Sequence, residues 1–248
     1  LLALLFAFGL ANGAFDVAMN AEAVAVEHAY RRPIMSSFHG FFSLGGLAGA
    51  GIGSLVALFD IAPKLHLSVA AILGFVAIAS ASRFMLPDEV SHSPGQTGGG
   101  LRIPPAAILL IGLLAALGLI GEGAMYDWST LYLAKTLKSP QALAALAYGS
   151  FSAAMALARF GGDALRARIG AKRTLCFSSA LAAIAMAATL AIAHPVAALI
   201  GFALVGIGFA NMIPVLFSCA ARVPGVTPAQ GIAGVSSCGY MGFMAGPP

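Results

Sequence analysis

Eight stretches of this chain are long and apolar enough to cross a bilayer, and that narrows the fold before any single residue is weighed. They lie at about 1–27, 33–59, 62–86, 104–134, 141–165, 174–193, 195–221 and 228–248, each near the ~20 residues that span a hydrocarbon core as a helix. Composition agrees: 60% of residues are hydrophobic, 9% are charged and the mean hydropathy is +0.93. Soluble domains carry roughly a quarter charged residues. The expectation is an all-α integral membrane protein with about 8 transmembrane helices.

The connections between these runs are short and polar, with one exception. Residues 87–104 are rich in Gly, Ser and Pro and include Ser93-Pro-Gly-Gln-Thr-Gly-Gly-Gly100, a composition that cannot bury a core. This stretch reads as a linker between two helix bundles. Lys and Arg are distributed unevenly over alternate loops. One set holds Arg31, Arg32, Arg83, Arg102, Arg166, Arg168, Lys172, Arg173 and Arg222; the other holds only Lys64, Lys135 and Lys138. The positive-inside rule puts the first set in the cytoplasm, with linker 87–104 and loop 166–173 both inside a multi-pass plasma-membrane protein. It also accounts for the net charge of +4 without nucleic acid as a partner. Three cysteines, Cys176, Cys219 and Cys238, sit in apolar or small-residue stretches with no C-x-x-C spacing, so they read as buried small side chains. The start lacks the basic n-region of a signal peptide. With no initial Met and a stop at Gly246-Pro-Pro248 inside an apolar run, the chain reads as a piece of a longer protein.

The densest charge lies in Arg159-Phe-Gly-Gly-Asp-Ala-Leu-Arg-Ala-Arg-Ile-Gly-Ala-Lys-Arg173, between apolar runs. Its order Gly161-x-Asp163-x-Leu165-x-x-Arg168-x-Gly170-x-x-Arg173 resembles the loop signature of the major facilitator superfamily, found between the second and third helices of each half. An internal repeat fits the same frame: Phe8-Gly-Leu-Ala-Asn12 recurs as Ile207-Gly-Phe-Ala-Asn211, and Gly45 and Gly49 are spaced like Gly242 and Gly246. The texture of Gly9-Leu-Ala-Asn-Gly-Ala-Phe-Asp16 with Ser36-Ser-Phe-His-Gly-Phe-Phe-Ser43 is most similar to the fucose-permease-like bacterial branch. The resemblance covers the whole chain as helices four to eleven of twelve. It implies three helices of an N-terminal bundle at 1–86, the linker at 87–104, and a C-terminal bundle at 105–248 truncated in its fifth helix. It also implies a conformational latch at the helix ends, carried by Arg159, Gly162, Asp163, Arg166, Arg168, Gly170 and Arg173. Asp163 would pair there with Arg159 or Arg166, or face the helix starting near Thr227; the plainer reading of the cluster is topology-setting charge. Sugar–proton symporters of that branch carry a buried acid on the fourth helix. Here Asp16 is the candidate, and Phe8 fills the position a turn before Asn12.

Asn12, Asp16 and Asn20 recur at i, i+4 and i+8 and form one polar stripe. Asp16 lies roughly 16 Å inside the helix end, near the midplane, where an unpaired carboxylate is costly. It reads either as a coupling or substrate-binding acid, or as a structural hydrogen bond to His39 or a serine of the next helix. Gly121-Glu-Gly-Ala-Met-Tyr-Asp-Trp-Ser-Thr130 is a second polar island. Its glycines would let the helix bend beside a ligand, with Glu122, Tyr126, Asp127 and Trp128 stacking on a sugar or holding a cation; the alternative is an interfacial aromatic anchor with solvated acids. His39 reads as a proton relay or a packing histidine, and Asn211 as a cavity wall or interhelical glue. Gly45-x-x-x-Gly49 reads as a close-packing face.

No H-E-x-x-H, G-x-S-x-G, metal-ligand set or cofactor loop is present, so no enzyme, metal or cofactor is expected. The expected function is secondary transport of a small, sugar-like solute by alternating access, coupled to protons, in a bacterial inner membrane. The bilayer, the solute and protons are then the partners. Drug or metabolite efflux by proton antiport, and a non-transporting sensor on the same fold, are the alternatives.

Overall fold

A computed structural model of the chain describes residues 1–86 and 104–245, apart from the side chains at positions 50, 54 and 57. The linker expected at 87–104 lies outside these residues except for its last position, as do Arg102 and Gly246. All regular structure among the described residues is helical: α1 (Leu2–Tyr30), α2 (Met35–Leu58), α3 (Pro63–Ala81), α4 (Ala106–Leu131), α5 (Gln141–Ile169), α6 (Ala171–Ile192), α7 (Pro195–Phe209), α8 (Met212–Ala220) and α9 (Pro228–Met244). A 3-10 turn at Ser82–Phe84 extends α3, and a π-helical turn at Tyr132–Thr136 extends α4.

Among the described residues, six stretches meet the length and hydropathy needed to cross a bilayer: Leu2–Tyr30, Pro63–Phe84, Ala106–Thr136, Gln141–Ile169, Ala171–Ile192 and Pro195–Ala220. The apolar run at 33–59 forms the 24-residue helix α2, and the run at 228–248 forms α9, which has 17 residues. The run at 195–221 is not one straight helix. Pro214 has no N–H to give the carbonyl of Ala210, and its ring crowds that carbonyl. The chain accordingly breaks at Ala210–Asn211 between α7 and α8. The helix is not interrupted at Gly121 and Gly123, since α4 runs through both. These glycines serve contact instead: a Cβ on Gly121 would meet the Phe209 ring at 2.6 Å.

The hairpin at 166–173 is also shorter than expected. Arg166 and Arg168 lie in the last turn of α5, Lys172 and Arg173 open α6, and only Gly170 is non-helical. Its φ of 81° is a conformation that side-chain-bearing residues rarely adopt, so glycine permits a one-residue corner.

The chain divides into two compact units. The first comprises Leu1–Gly40 with Ile103–Pro248, the second Phe41–Arg102. In the first, α9 packs along α4 and α1, and α7 packs between α5 and α6. Small residues allow the close approaches that drive helix association in lipid. A Cβ on Gly242 would sit 2.5 Å from the Ala116 carbonyl, and Gly206 lies directly against the carbonyl of Phe151. One apolar core gathers Met125, Leu133, Phe151, Phe202 and Val205; another gathers Met35, Ile108, Leu216, Phe217 and Val235. Many large apolar side chains remain exposed, among them Leu157, Ile184 and Ile200, as lipid-facing surfaces require.

In the second unit, α3 begins with Pro63 at its N-terminus and buries none of its residues. The close-packing reading of Gly45 and Gly49 does not hold among the described residues, since nothing lies within 4 Å of where a side chain on either would sit.

Candidate functional site

Polar side chains of the first unit gather in three places. At the arginine-rich end, the N-terminus of α2 has no side-chain cap of its own, because Pro33-Ile34-Met35 offers no hydroxyl or carboxylate. Two carboxylates from other helices supply it. Glu27, in the last turn of α1, accepts from Ile34 N at 3.1 Å and Met35 N at 3.0 Å. Asp163, in α5, accepts from Ser36 N at 2.9 Å, Ser37 N at 2.7 Å and Ser37 Oγ at 2.6 Å. Four consecutive amides at the positive end of one helix are thus satisfied by two buried anions.

Glu27 also receives Arg166 Nη1 at 3.3 Å and Arg222 Nη2 at 3.4 Å. Arg166 donates in turn to Ser218 Oγ at 2.8 Å. Ser36 Oγ donates to Asn211 Oδ1 at 3.0 Å, and Asn211 lies so close on Gly162 that no side chain fits there. The sequence expectation therefore needs correction. Asp163 does face a helix N-terminus, but it is that of α2 and not the helix starting near Thr227, and Arg166 pairs with Glu27. The Thr227 helix is closed by its own capping box with Gln230. Arg168 and Arg173 are exposed.

The second place lies deeper. Glu122 on α4 and Arg159 on α5 are both buried, with Arg159 Nη2 4.0 Å from Glu122 Oε1. Tyr126 reaches Glu122 at 3.5 Å and packs at a tilt against Tyr148 with ring centres 4.9 Å apart. Phe243 and Phe151 meet Tyr126 edge-on at 5.8 and 6.4 Å. His39 packs on Phe217 and lies within electrostatic range of Arg159. Arg159, read from sequence as part of the charged hairpin, thus belongs to this inner cluster. Asp127 and Trp128 are exposed, and Ser129 is tied to its own helix through Met125 O.

The third place is the stripe on α1. Asp16 accepts from Asn20 Nδ2 at 3.1 Å and from Ser236 Oγ at 3.4 Å, with the Tyr240 hydroxyl beside it. Its partner helix is α9, not the second helix carrying His39. An open groove of about 600 Å³ runs alongside, lined by apolar residues of both helices, Leu10 and Val17 among them, together with Ser236, Ser237 and Tyr240. Asn12 is exposed. Its repeat mate Asn211 is buried at the α7–α8 break, against Ser36 and Gly162.

Sequence reasoning missed Glu27, Ser36, Ser37, Ser218, Ser236 and Tyr240. Glu27 carried a readable signal: an acid in the last turn of a helix faces the negative end of the dipole, so it needs cationic or N–H partners.

The family profile described as Major Facilitator Superfamily matches residues 1–247. An uncharacterized MFS-type transporter of Yersinia pestis is 33% identical over 243 residues, which is 98% of this chain and 62% of that protein. The membrane protein MosC of Rhizobium meliloti is 33% identical over 244 residues, 97% of this chain and 58% of that one. An uncharacterized transporter of Sinorhizobium fredii is 35% identical over 249 residues, 98% and 64% respectively. The chain therefore spans about three-fifths of the length of these relatives. No solved structure matches.

Proposed function

The chain belongs to the major facilitator superfamily, a family of multi-pass membrane transporters and not of enzymes, and on that premise we propose that it serves secondary transport of a small, sugar-like solute by alternating access with protons as the coupling ion. Residues 1–86 and 105–248 contribute to two bundles joined by a cytoplasmic linker at 87–104, in a bacterial inner membrane with the arginine-rich end inside.

One observation carries this reading. The start of α2 is held by Glu27 and Asp163, two carboxylates on different helices, through short polar contacts that can be exchanged for water. Such a closure is strong while dry and weak once wetted, which suits a gate that opens and closes in every cycle. Inside the gate, Asp16 and Glu122 sit where a protonation change can accompany a change of access.

The test uses the full-length protein in proteoliposomes loaded with a pH dye. A panel of sugars and cationic drugs is added to wild type, Asp16→Asn and Glu122→Gln. Solute-triggered proton entry that is lost in either variant supports coupled uptake and locates the coupling acid. Proton movement opposite to the solute identifies the antiport alternative. Absence of any solute movement contradicts transport and favours a sensor.

A further inference from the structure

The Glu27 and Glu122 carboxylates are both buried next to arginine, yet they are held differently. Glu27 accepts from two backbone amides and two arginines at 3.0–3.4 Å, so its charge is absorbed by the fold. Glu122 meets Arg159 only at 4.0 Å and Tyr126 at 3.5 Å, both beyond a good hydrogen bond. The Glu122 carboxylate is thus held on Arg159 by charge and not by a close hydrogen bond. It also faces an aromatic wall: Tyr126 is 40% exposed and carries Tyr148, Phe151 and Phe243 around it. A planar guanidinium binds carboxylates two-pronged, and a loosely seated resident carboxylate can be exchanged for another.

We propose that Arg159 is the receptor for a carboxylate on the solute, with Glu122 as the counter-ion that guards it in the empty state, so the transported species is a small organic acid with a ring or apolar face. This rests on the transport reading above and names the substrate class of the inner site. The ring face lies against Tyr126 and Tyr148. The solute carboxylate takes the place of Glu122 on the guanidinium, which keeps Arg159 neutralised in both states. A cationic solute is disfavoured, since it would meet Arg159 as a like charge. The charged and titratable groups around the pair are Arg159, Tyr148, Tyr126, Glu122 and, from α2, His39.

The experiment is ligand-induced thermal stabilisation of the purified full-length protein. Glucuronate, galacturonate and benzoate are compared at millimolar concentration with glucose, galactose and benzyl alcohol. The expected result is that at least one acid stabilises wild type while its neutral counterpart does not. Glu122→Gln should bind that acid roughly tenfold more tightly, because the internal competitor is gone, and Arg159→Gln should lose it. The double variant Glu122→Gln with Arg159→Gln removes both charges and so avoids a stranded ion; it should no longer distinguish acid from neutral partner. A merely structural pair predicts the opposite for Glu122→Gln, namely weaker binding together with lower stability. Neutral compounds binding as well as acids, or no acid binding wild type, overturns the proposal. In either case, flux of a neutral solute in proteoliposomes that survives Arg159→Gln leaves the transport reading standing.

Discussion

Arg166 and Arg222 reach the same carboxylate at nearly the same distance, 3.3 and 3.4 Å, but in different surroundings. The Arg166 side chain is 6% exposed and that of Arg222 is 63% exposed, against 2% for Glu27. Breaking a buried pair strands a charge and costs about 3–5 kcal/mol, whereas an exposed partner is worth about 1 kcal/mol or less. Arg166→Ala should therefore lower the unfolding temperature sharply and Arg222→Ala barely, as thermal unfolding in detergent would register. A neighbouring pair of glycines gives a second contrast. A Cβ on Gly162 collides with Asn211 and meets Ser36 Oγ at 2.9 Å, while one on Gly161 meets nothing within 4 Å. Gly162→Ala should cost about 1–3 kcal/mol by overpacking. Gly161→Ala should be neutral or gain up to about 1 kcal/mol in helix propensity. Equal effects of the two would contradict the Ser36–Asn211–Gly162 contact. The charged run around Asp163 was legible in the sequence as a cluster. The partners of Asp163 were not, because Ser36 and Ser37 lie on α2, more than a hundred positions away in the chain.

The helices themselves were legible wherever apolar runs reached membrane length, and their ends and breaks were not. Gly121 and Gly123 lie inside an uninterrupted helix and serve contact, while Pro214 made a break that hydropathy alone does not show. The break sets Asn211 at the Ser36 hydroxyl. Pro214→Ala restores a donor for the Ala210 carbonyl and should let α7 run on into α8. Hydrogen exchange should then find amide 214 strongly protected, and the Ser36–Asn211 contact should weaken. An unprotected amide 214 would show that the break has another cause. The start of α2 makes the same point about caps. Its local sequence holds no N-cap residue, and the cap arrives from two other helices.

Over the whole chain, alternation of Lys and Arg singled out one end of the helices, and the structure brings Glu27, Arg166 and Arg222 together there. That end-to-end charge pattern was readable because topology acts on loops. The inner sites were readable only as separate polar islands, since pairing Glu122 with Arg159, or Asp16 with Ser236, depends on helix packing that no local pattern encodes. The carboxylate-capped start of α2, proposed above as a gate, is open to direct measurement. The direct test places spin labels at Arg31→Cys and Arg168→Cys, both exposed, in the full-length protein with its native cysteines replaced. Their distance distribution is then measured with Asp163 intact and with Asp163→Asn. The account predicts a short distance with Asp163 intact and a second, longer population in Asp163→Asn, as this end opens. One unchanged short distance in both would contradict it and leave Asp163 a structural cap.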